Sequence, residues 1–283
     1  MSEKKKKVPQ LRFPGFSGEW EERKVLDVAP LQRGFDLPKI EMQEGDYPVV
    51  MSNGINGYHS DYKAKAPGVV TGRSGTLGNL HYIELNYWPH NTALWVTDFK
   101  GNEPLYIFYM YQKLDLIRFG TGSGVPTLNR NDVHATKIYM PNLEEQEKIS
   151  SFLRKCDHLI TLQQRQLTHL QTRKKGLLQK MFPKDGELFP ELRFPGFRDA
   201  WEMRKLNDIS EKVTEKNKNR EFTETLTNSA EYGILSQNDY FEKEISNEKN
   251  IDGYYVVRSD DFVYNPRISN YAPVGPIKRN KLN

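Results

Sequence analysis

The stretch Leu11-Arg12-Phe13-Pro14-Gly15-Phe16 returns letter for letter as Leu192-Arg193-Phe194-Pro195-Gly196-Phe197. The correspondence runs past that core. Trp20-Glu21 matches Trp201-Glu202, Arg23-Lys24 matches Arg204-Lys205, and Asp27 matches Asp208. Solenoid units recur every ~20–50 residues. A period this much longer means two copies of a whole domain. The copies diverge after the shared opening, so each is expected to read something different through a common frame.

Between the copies the character of the chain changes. From Leu143 to Phe182 the only glycine is Gly176, and there is no proline. Ile149, Leu153, Cys156, Ile160, Gln163, Leu167, Leu170, Lys174, Leu177 and Met181 alternate in steps of four and three, the mark of a heptad seam. This predicts a helix over 143–183, a rod of about 60 Å at 1.5 Å per residue. Asn142 is the expected cap, with Glu145 as its capping-box partner. Glu144, Glu145 and Glu147 fill the first turns and Arg173, Lys174, Lys175 and Lys180 the last, both favourable to the helix dipole. Pro183 and Gly186 stop the helix. So narrow a seam reads as a coiled coil with a partner helix, not as a broad face laid on its own domain. Polar Gln163 and Lys174 within it can fix register and partner number. Cys156 reads as a small buried hydrophobe of the seam.

The flanks read as mixed α+β. In residues 1–142, strands are expected at Tyr47–Met51, Gly68–Thr71, Leu80–Leu85, Thr92–Thr97 and Thr136–Met140, separated by glycine- and asparagine-rich turns. A helix is expected to start at Pro104, with Leu105, Phe108, Tyr109 and Leu116 on its apolar stripe. In residues 184–283, a charged loop over 211–224 precedes strand candidates at Tyr232–Leu235, Tyr254–Val257 and Asp261–Tyr264. No second long helix follows, so this copy is expected to be incomplete.

Composition excludes several classes. Cys156 is the single cysteine, so neither an internal disulfide nor a cysteine metal cluster can form. The six histidines are scattered without paired ligand spacing, which leaves no metal site to propose. There is no phosphate-binding glycine-rich loop of the motor kind. Asn265-Pro266-Arg267 lacks the second proline and aromatic of an amino-methyltransferase motif and reads as a turn. No catalytic residues are expected. The net charge of +4 permits nucleic-acid binding without requiring it, and Lys4–Lys7 read as a solvated tail. No apolar run approaches the ~18 residues that span a bilayer, and no secretory signal is present. A soluble, cytoplasmic protein with no membrane contact is expected.

The order of parts, the doubled Trp-Glu opening and three further stretches resemble the DNA-specificity subunit of type I restriction–modification enzymes. The stretches are Pro141-Asn142-Leu143-Glu144-Glu145-Gln146-Glu147-Lys148-Ile149, Gly120-Thr121-Gly122-Ser123-Gly124-Val125-Pro126 and Lys174-Lys175-Gly176-Leu177-Leu178-Gln179. The resemblance implies a target recognition domain over 1–142, a coiled-coil spacer over 143–183 and a second, incomplete recognition domain over 184–283. It implies a non-catalytic subunit that directs methyltransferase (M) and restriction/translocase (R) subunits to a bipartite site on double-stranded DNA. S-adenosylmethionine and ATP/Mg would then belong to the partner subunits, with adenine the methylated base. A helix lacking its intramolecular partner is expected to pair with a second copy of the chain. The alternative is an interaction protein that binds methyltransferase subunits without productive DNA recognition.

The residues expected to meet DNA lie in loops. The first group is Asn53, Asn56 and His59, with Lys63 beyond it. The second is Arg73, Ser74, Thr76 and Asn79, and the third Ser123, Thr127, Asn129 and Arg130. Glycine-rich turns present backbone N–H groups to phosphate. An arginine pairs with guanine O6 and N7, and an asparagine with adenine. That these loops touch DNA is implied chiefly by the resemblance.

Overall fold

A computed structural model describes residues 8–122, 126–229, 232–240, 251–266 and 277–282. The chain divides into two compact units, Met1–Gly176 and Leu177–Asn283. The first runs β1 (Glu21–Lys24), α1 (Val25–Val28), β2 (Leu31–Arg33), β3 (Tyr47–Met51), β4 (Gly54–His59), β5 (Gly68–Gly72), β6 (Leu80–Ile83), β7 (Trp88–Pro89) and β8 (Ala93–Val96). It continues through α2 (Pro104–Leu114), β9 (Gly120–Thr121), β10 (Thr127–Leu128), α3 (Arg130–Ala135) and β11 (Lys137–Met140) into α4 (Leu143–Met181). The five strands expected before residue 142 are all present, and the long helix begins and ends within two residues of its expected bounds.

The sequence of β5, Gly-Val-Val-Thr-Gly, is buried at every position, as a strand covered on both faces must be. It is central to an antiparallel sheet of order β2-β8-β5-β6. A second sheet, β4-β3-β7, packs beside it, with β3 and β7 parallel. Alternation along β5 sorts the core into layers. Val69 joins Leu94, Val96 and Ile107 under the helices, while Val70 joins Val50, Ile83 and Ala93 on the other face. Val49, one residue from Val50 in β3, faces Leu37 and Trp88 in a third cluster.

Helix α2 starts as expected, with Pro104 in its first turn and the Glu103 side chain accepting the Tyr106 N–H. Its buried face differs from the expected stripe. Leu105, Tyr106, Ile107, Tyr111 and Leu114 are buried, whereas Phe108 and Tyr109 are half-buried and Leu116 lies beyond the helix. Tyrosine explains the shift: Tyr111 satisfies its hydroxyl inside the core on the Ala29 carbonyl, so a nominally amphipathic side chain takes the innermost place.

In the second unit, Leu226–Ser229 pairs with Gly233–Ser236 and Phe262–Tyr264 with Ile277–Arg279, both antiparallel. Tyr254–Val257 is not a strand. Only Tyr255 bridges, to Lys216, because what lies alongside is the charged 211–224 loop and not a second strand. Residue 267 of the expected Asn265–Arg267 turn lies outside the described residues.

Both opening repeats fold alike. Phe16 donates its N–H to the Phe13 carbonyl at 3.4 Å, and Phe197 to that of Phe194 at 3.4 Å. Gly15 and Gly196 hold φ of 94° and 95°, which glycine adopts without strain. Arg12 Nη1 donates to the Gly18 carbonyl at 2.6 Å, and Arg193 Nη1 to that of Asp199 at 2.6 Å.

Candidate nucleic-acid interface

Two expected loops meet at Thr92, just before β8, and the third joins them through Arg73 and Ser74. The Thr92 hydroxyl accepts the Ser52 N–H at 3.3 Å at the β3–β4 turn. Its carbonyl accepts the N–H groups of Arg73 at 2.9 Å and Ser74 at 3.4 Å, at the start of the β5–β6 loop. The Arg73 carbonyl in turn accepts the Leu128 N–H at 2.8 Å, and Ser74 bridges Thr127. The β3–β4 turn, the β5–β6 loop and the segment leading into α3 are thus tied side by side at one edge. The close fit at β5's end has a sequence cause: a Cβ on Gly72 would sit 1.8 Å from the Thr76 carbonyl oxygen.

The named residues divide. Asn53, Asn56, Asn79 and Arg130 are exposed, and Arg73, Ser74, Thr76 and Thr127 are half-buried within the cluster. Asn56 Nδ2 contacts Met51 Sδ at 3.2 Å. Arg73 makes one long side-chain contact, to the Asn91 carbonyl at 3.5 Å, so its guanidinium has donors to spare. Ser123 lies outside the described residues.

Three of the residues are committed elsewhere. His59 is buried, accepts the Gln43 N–H on Nδ1 at 3.0 Å and packs edge-on against Trp88. Asn129 caps α3, accepting the Asn131 N–H at 3.1 Å while its amide bonds Asp132 at 2.7 Å. Lys63 lies over the Trp88 ring at 4.8 Å and pairs with Asp61 at 3.6 Å. His59 is thus a buried ring and Asn129 a helix cap, in contrast to exposed Asn53 and Asn79. No single-sequence signal separates His59 and Asn129 from Asn53 or Arg73, because asparagine serves caps and contacts equally.

The same edge holds two histidines whose pKa values are lowered. Burial lowers the His81 pKa, opposed by a backbone bond to Ser52, and burial lowers that of His90, whose Nδ1 meets Thr92 Oγ1 at 3.1 Å. Among the described residues, no group of three or more His, Cys, Asp or Glu could hold a metal ion.

Helix α4 leaves the domain through a dense anchor. Asn142 Oδ1 accepts the Glu145 N–H at 2.9 Å, as a cap should. The Glu145 carboxylate does not complete the expected capping box. It turns away to the Arg12 guanidinium, which donates to Oε1 at 2.8 Å and Oε2 at 2.7 Å, because a bidentate charged pair outcompetes one backbone bond. Gln146 donates to Asn102 and Pro141 and accepts from the Glu103 N–H at 3.0 Å. Phe152 meets Phe13 edge-on, Arg154 pairs with Glu84 and Tyr109 donates to Asp157.

The heptad seam is divided by this anchor. Ile149 packs on the domain core, and Leu153 and Cys156 are half-buried. Ile160, Gln163, Leu167, Leu170, Lys174 and Leu177 are exposed, and Met181 is half-buried. Exposed Leu159 and Leu178 widen the stripe. Among the described residues, 158–176 make no hydrogen bond or ion pair outside the helix. No helix is long and apolar enough to cross a membrane among the described residues.

Two curated relatives are type I restriction enzyme specificity subunits. MjaVIII of Methanocaldococcus jannaschii is 30% identical over 112 residues, 38% of this chain and 26% of that protein. EcoprrI of Escherichia coli is 27% identical over 114 residues, 40% of this chain and 28% of that protein. The matches thus span little more than a quarter of either relative's length. Solved structures of similar architecture include the type I S subunit from M. genitalium (TM-score 0.46, 17% identity, 53% of this chain, 42% of that one). Another is the HsdS subunit from Thermoanaerobacter tengcongensis (TM-score 0.43, 16% identity, 63% of this chain, 48% of that one). The family profile described as type I restriction modification DNA specificity domain matches residues 17–172, more than half of the sequence, and the chain belongs to that family.

Proposed function

We propose that this chain is a non-catalytic DNA-recognition subunit of a type I restriction–modification system. It directs methyltransferase and restriction subunits to one half of a bipartite site on double-stranded DNA. The observation that carries this reading is the side-by-side tying of three polar loops, two at Thr92 and the third through Arg73 and Ser74, inside the family-matched segment. Arg73 is the leading base reader, with free donors on a planar fork suited to guanine. Asn53 and Asn79 are exposed amides for adenine edges, and Arg130 is a phosphate contact. Methyl transfer from S-adenosylmethionine and ATP/Mg-dependent steps belong to the partner subunits. The cytoplasm, where such partners and DNA meet, is the expected compartment.

Exposed apolar positions on α4 support a further part of the reading: two copies pair their helices. Acidic Glu144 and Glu147 at one end and basic Arg173, Lys174 and Lys175 at the other favour an antiparallel pair, which sets opposite charges together. A two-fold pair presents the same reader twice and calls for a palindromic bipartite site.

The test is co-expression with the cognate methyltransferase subunits and genome-wide mapping of methylated adenines. A symmetric bipartite motif is expected. Arg73→Ala should relax the motif at one mirrored position, by about 1–3 kcal/mol of lost discrimination. Methyltransferase subunits that bind the chain yet leave DNA unmethylated would overturn the reading in favour of a competitor that docks without reading.

A further inference from the structure

We propose that His90 is a positioning residue for target recognition. Through Thr92 it latches the β3–β4 turn that presents Asn53, and protonation of its ring releases that turn.

The contacts run inward from the turn. The Ser52 N–H donates to Thr92 Oγ1 at 3.3 Å, and Thr92 Oγ1 meets His90 Nδ1 at 3.1 Å. The same Nδ1 accepts the Thr92 main-chain N–H at 3.4 Å. The ring also bonds the Leu37 carbonyl. A carbonyl only accepts, so the neutral ring keeps its one proton toward Leu37 and leaves the Nδ1 lone pair for Thr92. The hydroxyl and amide of Thr92 then both donate to that lone pair, and the hydroxyl oxygen takes Ser52.

A proton on Nδ1 turns this acceptor into a donor. The hydroxyl can rotate in answer, but the main-chain N–H cannot, and two donors face each other across 3.4 Å. Ring and threonine move apart, and Ser52 loses the acceptor that ties its turn to the edge. The release is selective. The Thr92 carbonyl still accepts the Arg73 and Ser74 N–H groups, so the β5–β6 loop stays while the β3–β4 turn loosens.

The surrounding charges set the direction. Burial, the largest influence on His90, opposes the proton, as does Arg33, while Asp36 favours it. Asp36 is itself engaged, accepting from Asn91 and pairing with Arg33 at 3.5 Å. Arg73 reaches the Asn91 carbonyl at 3.5 Å. From β6, His81 bears on the Ser52 carbonyl, and among the described residues its buried Nε2 has no partner. A lowered pKa means that the latch holds above the ordinary histidine value of ~6.5 and is lost as pH falls below it. The link to target choice rests on the DNA-reading role proposed for this edge; the latch itself belongs to the fold.

Amide hydrogen exchange of the full chain, resolved to the Ser52 N–H and corrected for the intrinsic rate at each pH, tests the latch. Exchange should rise about fivefold between pH 7.5 and 5.5, the order of one lost hydrogen bond. Thr92→Val should exchange fast at both pH values, and Thr92→Ser should restore the step. His90→Asn, which keeps an acceptor near the Nδ1 position but takes no proton, should hold the turn at both. His81→Asn should leave the step in place. A wild type without the step, a step that survives His90→Asn, or one abolished by His81→Asn would each overturn the proposal. For recognition, the probe is duplex DNA of randomised sequence, selected on the full chain and sequenced. Asn53→Ala at pH 7.5 identifies the base position that the turn reads. Taking the wild type to pH 5.5 should relax that same position and spare the one lost with Arg73→Ala. A motif identical at both pH values would sink the link to recognition. Enrichment of no sequence at either pH, with the exchange step intact, would instead remove the DNA-reading role and leave the latch standing.

Discussion

Glu145 is a buried charge whose stability depends on one neighbour. Removing Arg12 leaves that carboxylate desolvated and unpaired, a costlier outcome than removing both partners. Arg12→Ala is expected to lower the thermal midpoint by several degrees, and Arg12→Ala/Glu145→Leu to recover much of the loss, as read by calorimetry. A second prediction concerns protons. His134 Nε2 accepts the Leu31 N–H at 2.9 Å, and its pKa is lowered by burial and by Arg130, as burial also lowers those of His81 and His90. A histidine whose folded pKa lies below its unfolded value favours the native state when neutral. That stability is complete above the unfolded pKa of ~6.5 and is lost as pH falls below it. The midpoint should drop between pH 7.5 and 5.5, and His134→Gln should flatten the dependence; an unchanged slope would count against His134 as the titrating group. The sequence named Asn142 as a cap and placed Glu145 beside it, but not the carboxylate's true partner, since Arg12 is 133 residues away.

At the scale of elements, the strands were legible because β5 and its neighbours carry short β-branched and aromatic runs bounded by glycine or asparagine turns. Their order was not, since pairing of β5 with β8 is non-local. Helix α2 was legible at its start and misjudged on its face, where tyrosines fill the core. Ile107 is fully buried between α2 and the sheet, and Ile107→Ala should cost about 2–5 kcal/mol, measured by denaturant unfolding. The periodicity of α4 was plain, yet one seam serves two surfaces. Its first turns lie on the domain, and from Ile160 onward it is exposed. Heptad spacing is the same for either surface, so the changeover near Cys156 was invisible without coordinates.

For the whole molecule, the exposed half of that seam sets the state of assembly. Leu167→Glu places a charge at the middle of the proposed helix pair. It should convert dimers to monomers in sedimentation analysis without shifting the melting of the first unit, because Leu167 is exposed there. A wild-type chain that sediments as a monomer would remove the two-copy reading. The loop cluster has a different consequence. Its ties to Thr92 and Leu128 run through the main chain of Ser52, Arg73 and Ser74. The side chains that project from it carry little of the scaffold's integrity. Target choice and foldability are therefore separable: Arg73, Ser74 and Asn79 can be exchanged together for other polar residues with the melting point nearly unmoved, and a new binding preference can arise by drift in a handful of letters while the frame beneath stays as it is.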